Sequence, residues 1–160
     1  LTHQWAVKRP EGWSIVLDSE IEQLPSTGAV CILGWDNRFV DEVKNALKDN
    51  IEQVSDDQFV VNETQFDPHQ HSIMLTGKYP NIANSLTWIA ANSTSAIPAL
   101  ARKLPHYGKY SYLLFKGDNA ENILKGKWPT NQTPLKVNFS NNTDEGALPA
   151  RPALTKLLEE

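Results

Sequence analysis

Three groups of residues in this chain have the chemical types that binding or catalysis would need. The first is Asp67-Pro68-His69-Gln70-His71. Two imidazoles two residues apart on a strand point the same way, so both rings could reach one metal ion, with Asp67 as a third ligand. A structural zinc takes four protein ligands and a catalytic zinc usually three, and no further His or Cys lies nearby in sequence. The residues therefore favour a surface turn with solvated imidazoles, with His71 at the start of a strand. The second group is Cys31 alone. A thiol at a strand end beside a base would be a nucleophile, but Cys31 lies inside Ala29-Val30-Cys31-Ile32-Leu33. There it reads as a small hydrophobe. As the only cysteine of the chain, it also excludes an internal disulfide and a multi-cysteine zinc site.

The third group is a set of loops that would follow strands: Gly34-Trp35-Asp36-Asn37, Thr76-Gly77-Lys78-Tyr79-Pro80-Asn81 and Lys116-Gly117-Asp118-Asn119. In an open α/β sheet, ligands bind beyond the carboxyl ends of the strands, where loops and helix starts gather. If the strands are parallel neighbours, Asp36, Asn37, Lys78, Tyr79 and Asp118 form one polar rim able to hold a small ligand or a peptide end. The competing reading is that glycine and Asx residues only make the turns and caps, which such loops require in any case.

Several chemistries lack their sequence signatures. Gly77-Lys78 has neither the upstream glycine nor the following Ser/Thr of a phosphate-binding P-loop, and no G-x-G-x-x-G occurs. No G-x-S-x-G elbow and no H-E-x-x-H are present. Tyr107, Tyr110, Tyr112, Phe115 and Trp128 run among Lys103, Lys109, Lys116, Lys125 and Lys127. Such interleaving can bind single-stranded nucleic acid. The net charge of -4 opposes it, and core packing on one face with solvated lysines is the better account.

These groups need a scaffold. The 160 residues, 40% hydrophobic and 21% charged, suit one folded domain with its own core. No apolar run approaches the roughly 20 residues that would span a bilayer. The run from Ala29 to Gly34 is apolar throughout, as in a strand covered on both faces. Phe39, Val40, Val43, Ala46, Leu47 and Ile51 recur at helical spacing, with Asp36 or Asn37 as cap. Trp13–Asp18, Gln58–Asn62, His71–Thr76 and Tyr110–Phe115 read as strands. Ala83, Leu86, Trp88, Ile89 and Ala90 read as a second helix, and Ala99–Lys103 as a shorter one after Pro98. Leu135–Phe139 alternates as an edge strand would, and the tail from Asn141 reads as weakly ordered. Strand, helix, strand, helix, strand predicts a single open α/β domain over 1–140, its sheet mostly parallel with flanking helices in Rossmann-like or flavodoxin-like layers. Residues 141–160 form its tail.

The segment Leu100-Ala101-Arg102-Lys103-Leu104-Pro105-His106-Tyr107-Gly108-Lys109-Tyr110-Ser111-Tyr112, followed by Phe115, Gly117, Asn122, Lys125-Gly126 and Trp128-Pro129, with His71-Ser72-Ile73-Met74-Leu75, Pro80, Leu86 and Trp88 upstream, resembles a region near the C-terminus of bacterial zinc metallopeptidases of the aminopeptidase-N-like (gluzincin) family. The likeness covers about residues 70 to 130. It implies a bacterial parent, periplasmic or otherwise exported, whose zinc and catalytic glutamate lie in a separate upstream domain. That domain would be the partner of this one, and the present chain would be a non-catalytic accessory portion without a cofactor of its own. The start at Leu1-Thr2-His3-Gln4, without an initiator methionine, leads to the same expectation of missing upstream polypeptide. Because H-E-x-x-H has no counterpart here, none of the family's catalytic or metal residues transfers. The alternative remains a free binding domain for a small molecule or peptide at the strand ends, without nucleic acid or membrane span.

Overall fold

The computed structural model describes residues 14–55, 58–78 and 85–129. The chain divides into two compact units, Leu1–Trp128 and Pro129–Glu160, and every helix and strand described belongs to the first. The expected strand Leu135–Phe139, the tail from Asn141, and Tyr79 lie outside the described residues.

Eight strands and two α-helices are described. The strands are β1 (Val30–Leu33), β2 (Ile51–Ser55), β3 (Gln58–Val61), β4 (Thr64–Phe66), β5 (His71–Lys78), β6 (Ser85–Ala90), β7 (Tyr112–Lys116) and β8 (Glu121–Gly126). The helices are α1 (Val40–Ala46) and α2 (Ile97–Lys103), with 3₁₀ turns at Asp18–Glu20, Thr94–Ala96 and Leu104–Tyr107. Strands β1-β6-β5-β7-β8 form a five-stranded sheet, and β2-β3-β4 a separate antiparallel sheet of three. Only β1 and β6 are parallel, Val30 pairing with Leu86 and Leu33 with Ile89. The pairs β5/β6, β5/β7 and β7/β8 are all antiparallel.

This overturns the mostly parallel Rossmann-like sheet. The error sits at one element: residues 85–90, read as a crossover helix, are the strand between β1 and β5. Leu86, Trp88 and Ala90 enter one core and Ile89 the other, so apolar residues on both faces erase the alternation that marks a half-exposed strand. Thr87, Trp88 and Ile89 are β-favouring types. Once β6 is a strand, β5 must run against it. Gly77 and Lys78, expected in a loop, become the last residues of β5, paired with Leu86 and Ser85.

Smaller differences follow the same physics. Helix α1 ends at Ala46, and Ile51 starts β2 rather than extending the helix. Ser14–Leu17 form no strand; Ile15, Val16 and Leu17 are exposed and pair with no strand among the described residues. That segment is tied down at Asp18, whose carboxylate accepts the Arg38 backbone N–H at 2.9 Å, while the Arg38 guanidinium donates to the carbonyls of Asp18 and Ile21.

Both faces of the large sheet are covered. On one face, Ile32, Ile73, Leu75, Leu86, Trp88 and Leu114 pack with Phe39, Val40, Val43 and Leu47 around α1, and with Phe59, Val61 and Phe66 of the small sheet. On the other, Met74, Ile89, Leu113 and Phe115 meet Ala96, Ala99, Leu100 and Leu104 from α2 and its flanking turns, with Cys31 and Leu33 beside them. Ser93 caps the turn leading into α2 by accepting the Ala96 N–H, Pro98 fits the first helical turn, and Arg102 and Lys103 sit in the last turn, where the helix dipole favours cations. Lys103 Nζ also donates to the carbonyls of Asn119 and Ala120, fixing the β7–β8 turn.

Candidate functional site

The topology fixes which loops meet. Strands β1, β6 and β7 run one way and β5 and β8 the other. The loop after β1, the residues after β6, the turn before β5 and the turn after β7 therefore share one end of the sheet. Asp36, Asn37 and Asp118 of the expected rim are there. Lys78 is not: it closes β5 at the opposite end, seven residues from His71 and so roughly 23 Å away along the strand.

Among those three residues, the roles diverge. Asn37 makes the turn into α1, its Oδ1 accepting the Phe39 N–H at 3.0 Å and its carbonyl the Val40 N–H at 3.0 Å. Asp118 accepts the Ser93 hydroxyl at 2.6 Å, tying the β7–β8 turn to the cap before α2. Asp36 is exposed and borders a cavity of about 320 Å³ lined also by Trp35, Val40, Lys44, Phe59, Pro68, His69, Trp88 and Asn92.

The cleft is backed by aromatic rings, of which Trp35 is half-buried and Phe59 and Trp88 are buried. The Trp35 ring meets Trp88 edge-on with centroids 5.2 Å apart and lies 6.1 Å from Phe59. Phe59 stacks on Phe66 at 5.5 Å. Both indoles are fixed: Trp35 Nε1 donates to the Ala91 carbonyl at 3.0 Å, and Trp88 Nε1 to the Gly34 carbonyl at 2.9 Å. These crossed bonds join the end of β1 to the end of β6, and Gly34 makes the bend with φ +97°, a conformation that suits glycine.

The edge is polar. Lys44, on α1, places Nζ 5.4 Å from the Phe59 centroid, within cation–π range. Its ion pair with Asp41 spans 3.7 Å, and Asp41 is 95% exposed, so solvent screens that pair. Asn92 is held by the wholly buried Ser72, which donates to Asn92 Oδ1 at 2.7 Å and accepts the Asn92 backbone N–H at 3.0 Å. One carboxylate, one ammonium, one imidazole and one amide thus border a cleft that also presents the Trp35 ring, an arrangement suited to orienting a small amphipathic ligand.

The histidine cluster is organised differently from a metal site. His69 lies in the turn, and only His71 belongs to β5. The Asp67 carboxylate accepts the His69 backbone N–H at 2.7 Å and the Gln70 side-chain amide at 3.0 Å. His71 Nδ1 folds back to within 3.2 Å of the Asp67 N–H and 3.0 Å of its carbonyl, its ring edge-on to Phe66. Among the described residues no group of three or more His, Cys, Asp or Glu converges as a metal site would. Cys31, half-buried in β1, has its thiol pushed up to about 11 by desolvation, which keeps it protonated and poorly nucleophilic at neutral pH.

Of the cleft residues only Asp36 belongs to the rim read from sequence; Trp35, Lys44, Phe59, His69, Trp88 and Asn92 are among those that stand outside it. Trp35 was within reach of sequence reasoning, since it directly follows Gly34 at a strand end. Phe59 and Lys44 come from the small sheet and α1, whose approach no local pattern encodes. The distinctive string Leu104–Tyr112 works as packing: Tyr107 meets Phe115 edge-on at 5.7 Å, and Tyr112 packs on Trp128 at 4.5 Å, whose Nε1 donates to the Thr76 carbonyl. Comparison of the chain with protein-family models, curated proteins and solved structures finds no match.

Proposed function

We propose that this chain is a binding module that holds a small amphipathic molecule or peptide segment in the cleft at the carboxyl ends of β1 and β6. The observation that carries this reading is the half-buried Trp35, fixed edge-on against the buried Trp88, in a cavity bordered by opposite charges from Asp36 and Lys44. Side chains already locked by hydrogen bonds lose little entropy on binding, so the contacts they make count nearly in full. The test is titration of the ¹⁵N-labelled 160-residue chain with a panel of neutral, cationic and anionic aromatic compounds. Saturable shifts confined to the Trp35 and Trp88 indole N–H signals, Asp36, Lys44 and Asn92 support it. A ligand at 100 times its dissociation constant also raises stability by about 2.7 kcal/mol. Absence of any saturable shift at these residues refutes it.

A second reading concerns the wider protein, and the resemblance over residues 70 to 130 favours it. Here the chain is an accessory portion of a bacterial zinc aminopeptidase-like protein, periplasmic or otherwise exported, and its partner is the upstream catalytic domain that would hold the zinc. Within the resembling string, Leu104, Tyr107, Tyr110 and Tyr112 are occupied with packing, as befits a scaffold. The sequence of the gene upstream of Leu1 tests it. An H-E-x-x-H segment in the same reading frame supports the assignment, and an unrelated upstream domain ends it.

A further inference from the structure

We infer that the cleft selects small zwitterions carrying an apolar side chain, the class of α-amino acids and short peptides with free ends. This deepens the binding reading above and rests on it. Lys44 and Asp36 offer opposite charges at the border of one cavity lined also by the half-buried Trp35, with Phe59 and Trp88 buried behind it. A ligand carboxylate is drawn to the Lys44 ammonium, which lies over the Phe59 ring and whose ion pair with the exposed Asp41 gives way easily to a better-placed anion. The Asn92 amide also borders the cavity. Its oxygen and backbone N–H are both engaged by Ser72, so the amide nitrogen is the group left to donate to an anionic oxygen. The ligand ammonium is drawn to Asp36. An apolar side chain between the two charges then rests against Trp35, the half-buried ring of the lining, with Phe59 and Trp88 packed behind it. A volume of about 320 Å³ lies at the small end of ligand pockets, which restricts the ligand to one or two residues rather than a long segment.

The experiment follows the Trp35 and Trp88 indole resonances of the 160-residue chain during titration with the dipeptide leucyl-phenylalanine, its C-terminal amide and its N-acetyl derivative. The free dipeptide is expected to bind most tightly, with each blocked form weaker by about fivefold, the equivalent of a single well-placed charge contact. In Lys44→Ala the free acid and the amide converge, and in Asp36→Asn the free and acetylated forms converge; Asp36 is exposed and Lys44 half-buried, and the dispersed amide spectrum of each variant checks that it is folded. Equal affinity of the three forms for the unaltered chain, or discrimination that persists in both variants, overturns zwitterion selection while leaving the binding reading in place. No saturable response to any of the three, combined with none to the aromatic panel, overturns both.

Discussion

Ser72 Oγ, completely buried, donates to Asn92 Oδ1 at 2.7 Å and accepts the Asn92 backbone N–H at 3.0 Å. One hydroxyl thereby fixes both the backbone and the side chain of a residue just beyond β6 at the cleft. Because Ser72 is the only polar residue among the buried side chains described, it is a costly feature unless fully paired, and it is fully paired. Ser72→Ala leaves two Asn92 groups without partners. The expected loss is about 1–3 kcal/mol of stability, read as a lower urea midpoint with unchanged slope. Ligand affinity at the cleft should fall with it, since Asn92 is no longer held in place.

Gly126 is set by its neighbour across the β7–β8 pair. A Cβ at this position would collide with the Tyr112 ring, which is itself clamped against Trp128. Gly126→Ala should therefore destabilise the chain by about 1–3 kcal/mol, the usual cost of overpacking. The assignment is specific enough for a double-mutant cycle. In a Tyr112→Ala background the added methyl meets no ring, and the Gly126→Ala penalty should largely vanish. Strictly additive losses would show that the collision is relieved elsewhere.

Hairpin β3–β4 turns through Asn62 and Glu63, with φ of +48° and +64°, and Val61 pairs directly with Thr64. A two-residue connection with both central residues in the left-handed region is the turn that favours Asn-Gly. Asn62 suits the first position, whereas Glu63 is strained in the second. Glu63→Gly should raise stability by about 0.5–1 kcal/mol, the relief of strain being partly offset by the greater freedom of glycine in the unfolded chain. Thermal unfolding of the two proteins side by side measures it.

What could be read in advance divides along physical lines. Strands whose apolar run is short and bounded by turn residues, such as Val30–Leu33 and Tyr112–Lys116, were legible, as were the amphipathic face of α1 and the helix after Pro98. Residues 85–90 were not, because burial on both faces removes the period of two. Thr64–Phe66 is too short to show a pattern, and β8 is a half-exposed edge with Ile123 facing solvent. That one misreading propagated to the site. Treating 85–90 as a crossover made β5 and β7 parallel neighbours and brought Lys78 to the rim beside Asp118, whereas β5, antiparallel to both β6 and β7, carries it to the far end. Asp36 kept its place because it depends only on β1. The aromatic backing of the cleft depends on how two sheets pack, a long-range relation that no local spacing records.

The half-buried thiol of Cys31 gives a pH dependence whose direction can be worked out. Desolvation raises its value from 9.0 to about 11 in the folded chain. Below pH 9 the thiol is protonated in both states and contributes no slope. Between pH 9 and about 11 the unfolded chain releases the proton while the folded chain retains it, so the folded state binds more protons and stability falls as pH rises. The loss attributable to this group is at most about 3 kcal/mol. Lysines and tyrosines also titrate in this range, so the informative quantity is the difference between the parent and Cys31→Ala. The variant should start less stable, because a packed side chain is trimmed, yet lose stability more slowly as pH rises through the window. Parallel curves for the two proteins would mean that the thiol ionises as easily in the fold as in water. The same desolvation should slow modification of the native thiol by a disulfide reagent at pH 8, with full reactivity restored in urea.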